Sequence, residues 1–267
     1  MPGSGVSRVT VPPHQKSAQG ARPEAAQTEA EASRHVQEMF SRIAPQYDFL
    51  NHILSLSLDR VWRRRTARRF AHILANPKAR VLDLCCGTGD LTNAMERLSA
   101  RHGGGAWIAG ADFSGAMLNL AQRKAYAQHR RAAFLAADAL HLPLADGTVD
   151  LLTAAFGFRN LANYRQGLGE CFRVLRPGGE LGILEFCEPR TGFMAGLYRA
   201  YFNKVLPRIG GAISGNGEAY TYLPASVARF PQPEELAAWM SKGGFADVRY
   251  ESWTFGTVAL YVARRPH

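Results

Sequence analysis

The sequence predicts a doubly wound α/β domain, and three observations carry that expectation. From Arg80 onward, short apolar runs alternate with helical patterns; a glycine turn follows the first run; and aspartates stand where the second and third runs end. The runs are Arg80–Cys85, Trp107–Ala111 stopping at Asp112, Ala133–Ala137 ending at Asp138, Val149–Phe156, Glu180–Glu185, Val248–Trp253 and Val258–Ala263. Between them, Asp90–Ala100, a segment through Met117, Leu118, Leu120 and Ala121, and Tyr164–Leu175 carry helical spacing. Gly103-Gly104-Gly105 and Arg176-Pro177-Gly178-Gly179 read as turns. The result is a Rossmann-like, seven-stranded sheet with helices on both faces.

The remainder of the chain sorts around this sheet. Residues 1–32 are rich in Pro, Ser, Gly, Gln and Ala without apolar periodicity, so they read as a disordered tail ahead of one domain over 33–267. No apolar run follows Arg8, which argues against a leader, and no stretch approaches the roughly 20 apolar residues a membrane span requires. Helical patterning over about Glu31–Ala75 predicts an N-terminal cap. A second interruption, about 193–230, carries Phe193, Leu197, Tyr198, Tyr201, Phe202, Tyr220 and Tyr222 and predicts an insertion covering a ligand crevice. Of the four cysteines, Cys85 and Cys86 are adjacent and none has metal-ligand spacing, so reduced thiols, a cytoplasmic location and no metal are expected. The net charge is +10, much of it in Arg60, Arg63, Arg64, Arg65, Arg68 and Arg69, interleaved with Val61, Trp62, Phe70, Ile73 and Leu74. On a helix these divide into an apolar face and an arginine face, the latter simply solvated, drawn to an anionic membrane surface, or drawn to nucleic acid.

Val81-Leu82-Asp83-Leu84-Cys85-Cys86-Gly87-Thr88-Gly89-Asp90 sets a glycine turn between an apolar strand and a helix, where the backbone can approach a ligand. A dinucleotide fingerprint needs a third glycine three positions after the second, yet position 92 is Thr, and Asp90 at the helix start would repel a pyrophosphate. A cationic sulfonium cofactor tolerates that acid, which points to S-adenosylmethionine. Asp112 is then set to accept from both ribose hydroxyls, and Asp138 from an adenine amine while the Ala139 amide donates to the ring. Bland readings stand beside these: Asp83 as a brace of the loop, Asp112 and Asp138 as helix caps or turn residues, and Cys85-Cys86 as core.

At this point the sequence resembles a family, the quinone-pathway C-methyltransferases that convert demethylmenaquinone to menaquinone or methylate the equivalent ubiquinone intermediate. The likeness is carried by Phe40–Asp48 with Asn51, Trp62-Arg63, Asp83–Asp90, Phe156-Gly157-Phe158-Arg159-Asn160, Arg173–Gly179, Leu184-Glu185-Phe186, Leu206–Gly210 and Tyr220–Ser226. The Gly-Thr-Gly-Asp and Pro-Gly-Gly segments mark only the wider class I methyltransferase superfamily; Phe-Gly-Phe-Arg-Asn, Tyr-Thr-Tyr-Leu and the Tyr47-Asp48 region are the specific part. The resemblance implies that Thr88, Asp112, Asp138 and Ala139 contact the cofactor and that Ala155 aligns with a contact often made by Ser; Asp83, Gly87 and Gly89, at the strand end and in the glycine turn, complete the expected cofactor residues. The segment Ser214–Glu218 departs from the usual acidic pattern.

The implied substrate is a reduced polyprenyl quinone precursor, demethylmenaquinol or the corresponding benzoquinol. Arg159, following the fourth strand, is placed to stabilise a ring oxyanion or to brace the loop by a salt bridge. Asn160 orients it or hydrogen-bonds a ring oxygen, and Tyr47, Tyr220 and Tyr222 line the ring pocket or form an aromatic cluster. An RNA or other small-molecule methyltransferase, and a protein that only binds partners, are the competing classes. Against RNA, no Asn-Pro-Pro-aromatic segment or appended RNA-binding module is present, so nucleic acid is not expected. The prenyl tail implies peripheral contact at the inner membrane surface.

Overall fold

The computed structural model describes residues 26–48, 57–189 and 217–267, with positions 20, 21, 23, 55 and 196 besides. The first helix, α1 (Glu29–Ile43), begins where Thr28 and Glu31 cap each other: the Thr28 hydroxyl accepts from the Glu31 amide and the Glu31 carboxylate accepts from the Thr28 amide, both at 3.1 Å. This corrects the tail boundary expected at residue 32, because the capping box lies in a stretch whose composition concealed it. Upstream, Ala21 is buried and its amide donates to the Leu161 carbonyl at 2.7 Å.

Next come α2 (Leu58–Arg69) and the short α3 (Ala71–Leu74). The α2 side chains do not divide into an apolar face and an arginine face as expected. Arg63 is buried beside Trp62, whereas Val61 is 55% exposed. Asp59 and Asp90 are the cause: Arg63 pairs with the first one turn away and lies 3.8 Å from the second.

The sheet follows, with β1 (Arg80–Leu84), α4 (Asp90–Arg101), β2 (Trp107–Asp112), α5 (Gly115–Ala127), β3 (Ala133–Ala136), β4 (Val149–Ala155), α6 (Tyr164–Val174) and β5 (Leu175–Phe186). The chain ends with α7 (Gly217–Arg229), α8 (Pro233–Lys242), β6 (Ala246–Trp253) and β7 (Val258–Arg264). Strand order is β3-β2-β1-β4-β5-β7-β6. The pairings among β1 to β5 are parallel; β7 runs antiparallel to both β5 and β6, since the 3-10 turn Thr254–Gly256 is too short for a crossover. Of the expected insertion, α7 is described; Phe193, Leu197, Tyr198, Tyr201, Phe202 and the segments Leu206–Gly210 and Ser214–Asn216 lie outside the described residues.

Period-two alternation splits the core into two layers. Leu82, Leu84, Leu152 and Ala154 face one, with Leu181 and Tyr261; Val81 and Leu151 face the other, with Trp62, Phe70 and Leu260. One difference from the expected pattern is that Arg176–Gly179 is not a turn ahead of β5 but an irregularity inside it. Pairing with β4 stands at Val149–Leu175 and resumes at Leu151–Glu180, with Gly178 at φ 78°. Arg265 secures this corner by donating to the carbonyls of Phe172, Arg173 and Leu175 at 2.6–3.0 Å, capping α6.

Asp83, in the middle of this arrangement, is 1% exposed. It accepts from the Thr92 hydroxyl of α4 at 2.6 Å and the Thr153 hydroxyl of β4 at 2.7 Å, tying β1 to both. Burial raises its pKa from 3.8 to about 6 against the pull of these two donors. The folded chain thus retains a proton between pH 4 and 6 that the unfolded chain releases, so this group's contribution is fully present below pH 4 and is lost as pH rises to about 6. Asp83→Asn should remove that slope. Urea unfolding across pH 4–7 should show the stability difference between wild type and variant moving by about 3 kcal/mol in the variant's favour as pH rises; parallel curves would refute the assignment.

Candidate active site

Strand order reverses between β1 and β4, so the loops leaving their carboxyl ends diverge and open a crevice. A cleft of about 680 Å³, open solvent at its mouth included, lies there. The two loops also cross closely: a Cβ on Gly157 would stand 2.3 Å from the Cys85 Cβ, so only glycine fits. Two non-glycine residues at the strand ends, Cys85 and Phe156, take φ of 50° and 61°, a strained conformation of the kind that gathers at ligand sites.

At one end of the cleft is Asp112, which closes β2 and is buried. One carboxylate oxygen accepts from the Gly87 amide at 2.8 Å and the other from the Ser114 amide at 2.9 Å. Burial pushes its pKa up, while those amides pull the other way. Each oxygen retains a further lone pair, the geometry a vicinal diol needs. Beyond it, Phe113, Met117, Leu140 and the buried Ala139 give apolar walls for a flat heterocycle. Asp138, on the exposed rim of the cleft, accepts from the Leu140 amide at 2.9 Å. These features fit a nucleoside group: a carboxylate for the ribose, apolar faces for the base, and a rim acid for its edge.

The opposite end is bounded by Phe156, Gly157, Asn160 and Leu161. Asn160 ends the 3-10 turn Phe158–Asn160, and its side-chain oxygen accepts from the Tyr222 hydroxyl of α7 at 3.1 Å. Burial pushes the Tyr222 phenol up to about 12. Arg159 is not a lining residue. It is 5% exposed and turned into the protein, where its guanidinium pairs with Glu185 at 3.2 Å, donates to the Phe156 carbonyl and reaches the Ser226 hydroxyl at 3.3 Å. Burial disfavours the Arg159 charge, but Glu185 with Tyr47 and Tyr222 together outweigh that and raise its pKa. The salt-bridge reading is the one this geometry favours.

Tyr47 enters the cleft from the N-terminal side, packing edge-on against Phe40 with ring centres 5.9 Å apart. The next residue, Asp48, is clamped: Lys124 of α5 lies 2.6 Å from Asp48, 2.7 Å from Asp90 and 2.9 Å from the Thr88 hydroxyl, which itself donates to Asp48. Thr88 therefore serves the clamp rather than the cleft. Gly89, at φ 79°, packs on Phe134 and Ala121, and Ala155 turns toward the layer of Trp62 and Phe186 because its neighbour Ala154 faces the other one. Asp83 is the brace described above. Of the expected cofactor residues, Gly87, Asp112, Asp138 and Ala139 are brought together in the cleft; Asp83, Thr88, Gly89 and Ala155 stand behind it. Tyr220 begins α7, but its side chain lies outside the described residues.

Sequence reasoning missed Ser33, Phe113, Met117, Leu140 and Leu161 in the lining. Phe113 was within reach of the pattern, since it follows the strand-end acid directly. Ser33 was not, because α1 reaches the cleft only through tertiary contacts such as Ser41 with Ser114 at 2.9 Å. The thiols of Cys85 and Cys86 are raised well above their usual range by burial, consistent with core cysteines.

Comparison with known proteins agrees with this geometry. The model of the ubiE/COQ5 methyltransferase family matches residues 27–265. The demethylmenaquinone methyltransferase of Thermus thermophilus is 51% identical over 230 residues, covering 85% of this chain and 100% of that protein. The ubiquinone/menaquinone biosynthesis C-methyltransferase UbiE of Geotalea daltonii is 41% identical over 237 residues, covering 88% and 98%. Among solved structures, a SAM-dependent methyltransferase of Thermotoga maritima superposes with a TM-score of 0.59 at 18% identity, covering 86% of this chain and 100% of that one, and so shares the fold. With a family match over nearly the whole described chain and a relative at half identity along its full length, the chain belongs to the ubiE/COQ5 methyltransferase family.

Proposed function

We propose that the chain transfers a methyl group from S-adenosylmethionine to a ring carbon of a reduced polyprenyl quinone precursor, demethylmenaquinol becoming menaquinol. The observation that carries this is the single cleft with Asp112 at one end and the Asn160–Tyr222 pair at the other. The names of the Thermus relative and of the family support the acceptor class. The name of the Geotalea relative includes ubiquinone biosynthesis, which keeps the corresponding benzoquinol as a second reading.

When bound, S-adenosylmethionine supplies an electrophilic methyl group on a sulfonium. Asp112 accepts from its ribose hydroxyls, the Ala139 amide and Asp138 meet the adenine edge, and Gly87 lets the loop pass close to the cofactor. Asn160, held by Tyr222, offers its amide to a ring oxygen of the acceptor, favouring the electron-rich form as the ring hydroxyl passes its proton to water; the C–CH3 bond forms as the S–CH3 bond breaks, and the ring carbon's own proton then leaves to water. Tyr47 and Phe156 exclude water and orient the ring. Arg159 acts through Asn160 as a positioning residue. Among the described residues no helix is long and apolar enough to cross a membrane. Access to the prenyl acceptor then comes from peripheral attachment at the cytoplasmic side of the inner membrane.

The test is transfer of labelled methyl from S-adenosylmethionine to chemically reduced demethylmenaquinone and to a reduced ubiquinone precursor. Transfer to the naphthoquinol is expected, reduced roughly a hundredfold or more by Asp112→Ala, which removes two charge-assisted hydrogen bonds. Cofactor binding without transfer to either ring would refute the proposal. The clamp gives a second expectation: Lys124→Met removes the cation that Asp48 and Asp90 share, leaving Arg63 at 3.8 Å to offset Asp90, and should weaken S-adenosylmethionine binding about tenfold in calorimetry, with partial recovery in Lys124→Arg. Unchanged affinity in Lys124→Met would show that the clamp does not shape the cofactor site.

A further inference from the structure

A second concavity lies on the far side of the Lys124 clamp, between α2, α4 and α5, with a volume of about 1000 Å³. Five cations line it, Arg60, Arg63, Arg64, Arg97 and Lys124, against two carboxylates, Asp48 and Asp90. Lys124 engages both carboxylates, and Arg63 is shared between Asp90 and the buried Asp59. With Asp59 counted, the cleft still holds an excess of positive charge, concentrated toward Arg64 and Arg97.

The floor carries an unmet hydrogen-bonding demand. Asn93 is 3% exposed, and neither its amide nitrogen nor its carbonyl oxygen has a partner. The Nε of Arg97 is likewise buried without a partner, and its Nη2 has only a long contact of 3.5 Å to Gln128. Buried polar groups of this kind normally find a partner, and three in one concavity beside surplus guanidinium groups point to an outside ligand. That ligand has to be anionic, has to accept hydrogen bonds from two helices at once, and gains from an oxygen that can also donate to Asn93. A tetrahedral phosphate meets the first two conditions, whereas a carboxylate presents its oxygens in one plane; the donor to Asn93 is the P–OH of free phosphate or the glycerol hydroxyl of a phosphatidylglycerol headgroup.

We propose that this concavity is a phosphate-binding site held by Arg64, Arg97 and Asn93, with Arg60 contributing to its field. The phosphate is carried either by the headgroup of an anionic lipid or by free phosphate. The site stands on its own residues and does not depend on the acceptor reading above. If the source is a lipid, the phosphate anchors the domain on the surface that holds a prenylated substrate.

The experiment uses the full chain and three proteins: wild type, Arg64→Glu/Arg97→Glu, and the charge-matched control Arg101→Glu/Arg123→Glu, whose residues are exposed and outside the cleft. Co-sedimentation compares phosphatidylglycerol-containing vesicles with pure phosphatidylcholine vesicles. Thermal melting compares inorganic phosphate with chloride at equal ionic strength. Wild type and control should bind the anionic vesicles and be stabilised by phosphate, with phosphate competing for the vesicles. Arg64→Glu/Arg97→Glu should lose roughly tenfold or more in vesicle affinity, lose the phosphate response, and retain methyl transfer to a detergent-dispersed acceptor. A phosphate response without vesicle binding would support the site and identify free phosphate as the source. The proposal is overturned by equal losses in the control, by no response in either assay, or by vesicle binding that phosphate neither mimics nor displaces.

Discussion

Glu185 has no solvent exposure, and a carboxylate in that position keeps its charge only because Arg159 lies against it. Burial alone raises the Glu185 pKa; the guanidinium, the Arg159 amide and the Phe186 amide oppose that. Much of the Asn160 end of the cleft depends on this pair. The Arg159 amide donates to Glu185 at 3.1 Å, and the Tyr164 hydroxyl donates to the Arg159 carbonyl at 2.9 Å, so the 3-10 turn after β4 is held from both sides. Asn160 takes its position from that turn, Tyr222 from Asn160, and α7 is drawn in through Ser226. Removing one member of such a pair leaves an uncompensated buried charge at a cost of about 3–5 kcal/mol, far more than the intact pair contributes to net stability. Its role is geometric: one conformation of the turn satisfies both charges.

The Asp112 end of the cleft is organised differently. Asp112 relies on backbone amides, which have fixed positions once β2 and the Gly87 loop are formed, so its orientation needs no second side chain. The lid over that loop is less rigidly built. Tyr47 and Asp48 reach it from the N-terminal layer, and Asp48 is held there by side chains alone, through Lys124 and the buried Thr88.

How much of this the sequence displayed follows from the range of each interaction. The strands were legible because parallel strands buried on both faces must be apolar nearly throughout, as in Val81-Leu82-Asp83-Leu84. Asp112 and Asp138 were legible because strand ends at a switch point are where ligand groups gather. Asp83 was ambiguous: a carboxylate near a strand end looks the same whether it meets a ligand or two threonines from other elements. The partners that Thr88 and Arg159 take in the fold were hidden for a related reason, since Lys124 and Glu185 lie 36 and 26 residues away. The start of α1 was legible to within about two residues, as the helical patterning from about Glu31, but its capping box was not, because composition was weighed over a window in which those four residues were a small part.

The distribution of charge bears on the proposed chemistry. Transfer of a methyl group from a sulfonium to an electron-rich ring consumes a positive charge, so the transition state is less polar than separated reactants. A wall that stabilised full charges at the reacting centre would favour the reactants instead. Among the described lining residues, only Asp112 and Asp138 are charged, and both stand at the nucleoside end. At the acceptor end, the Arg159 and Glu185 charges cancel behind the wall, and what faces the cleft is the Asn160 amide with apolar Phe156 and Leu161. A neutral dipole can follow the redistribution of charge on the ring oxygen without holding the reactants back. The buried ion pair thus sets the shape of the acceptor wall while keeping its own charge out of the reaction chamber.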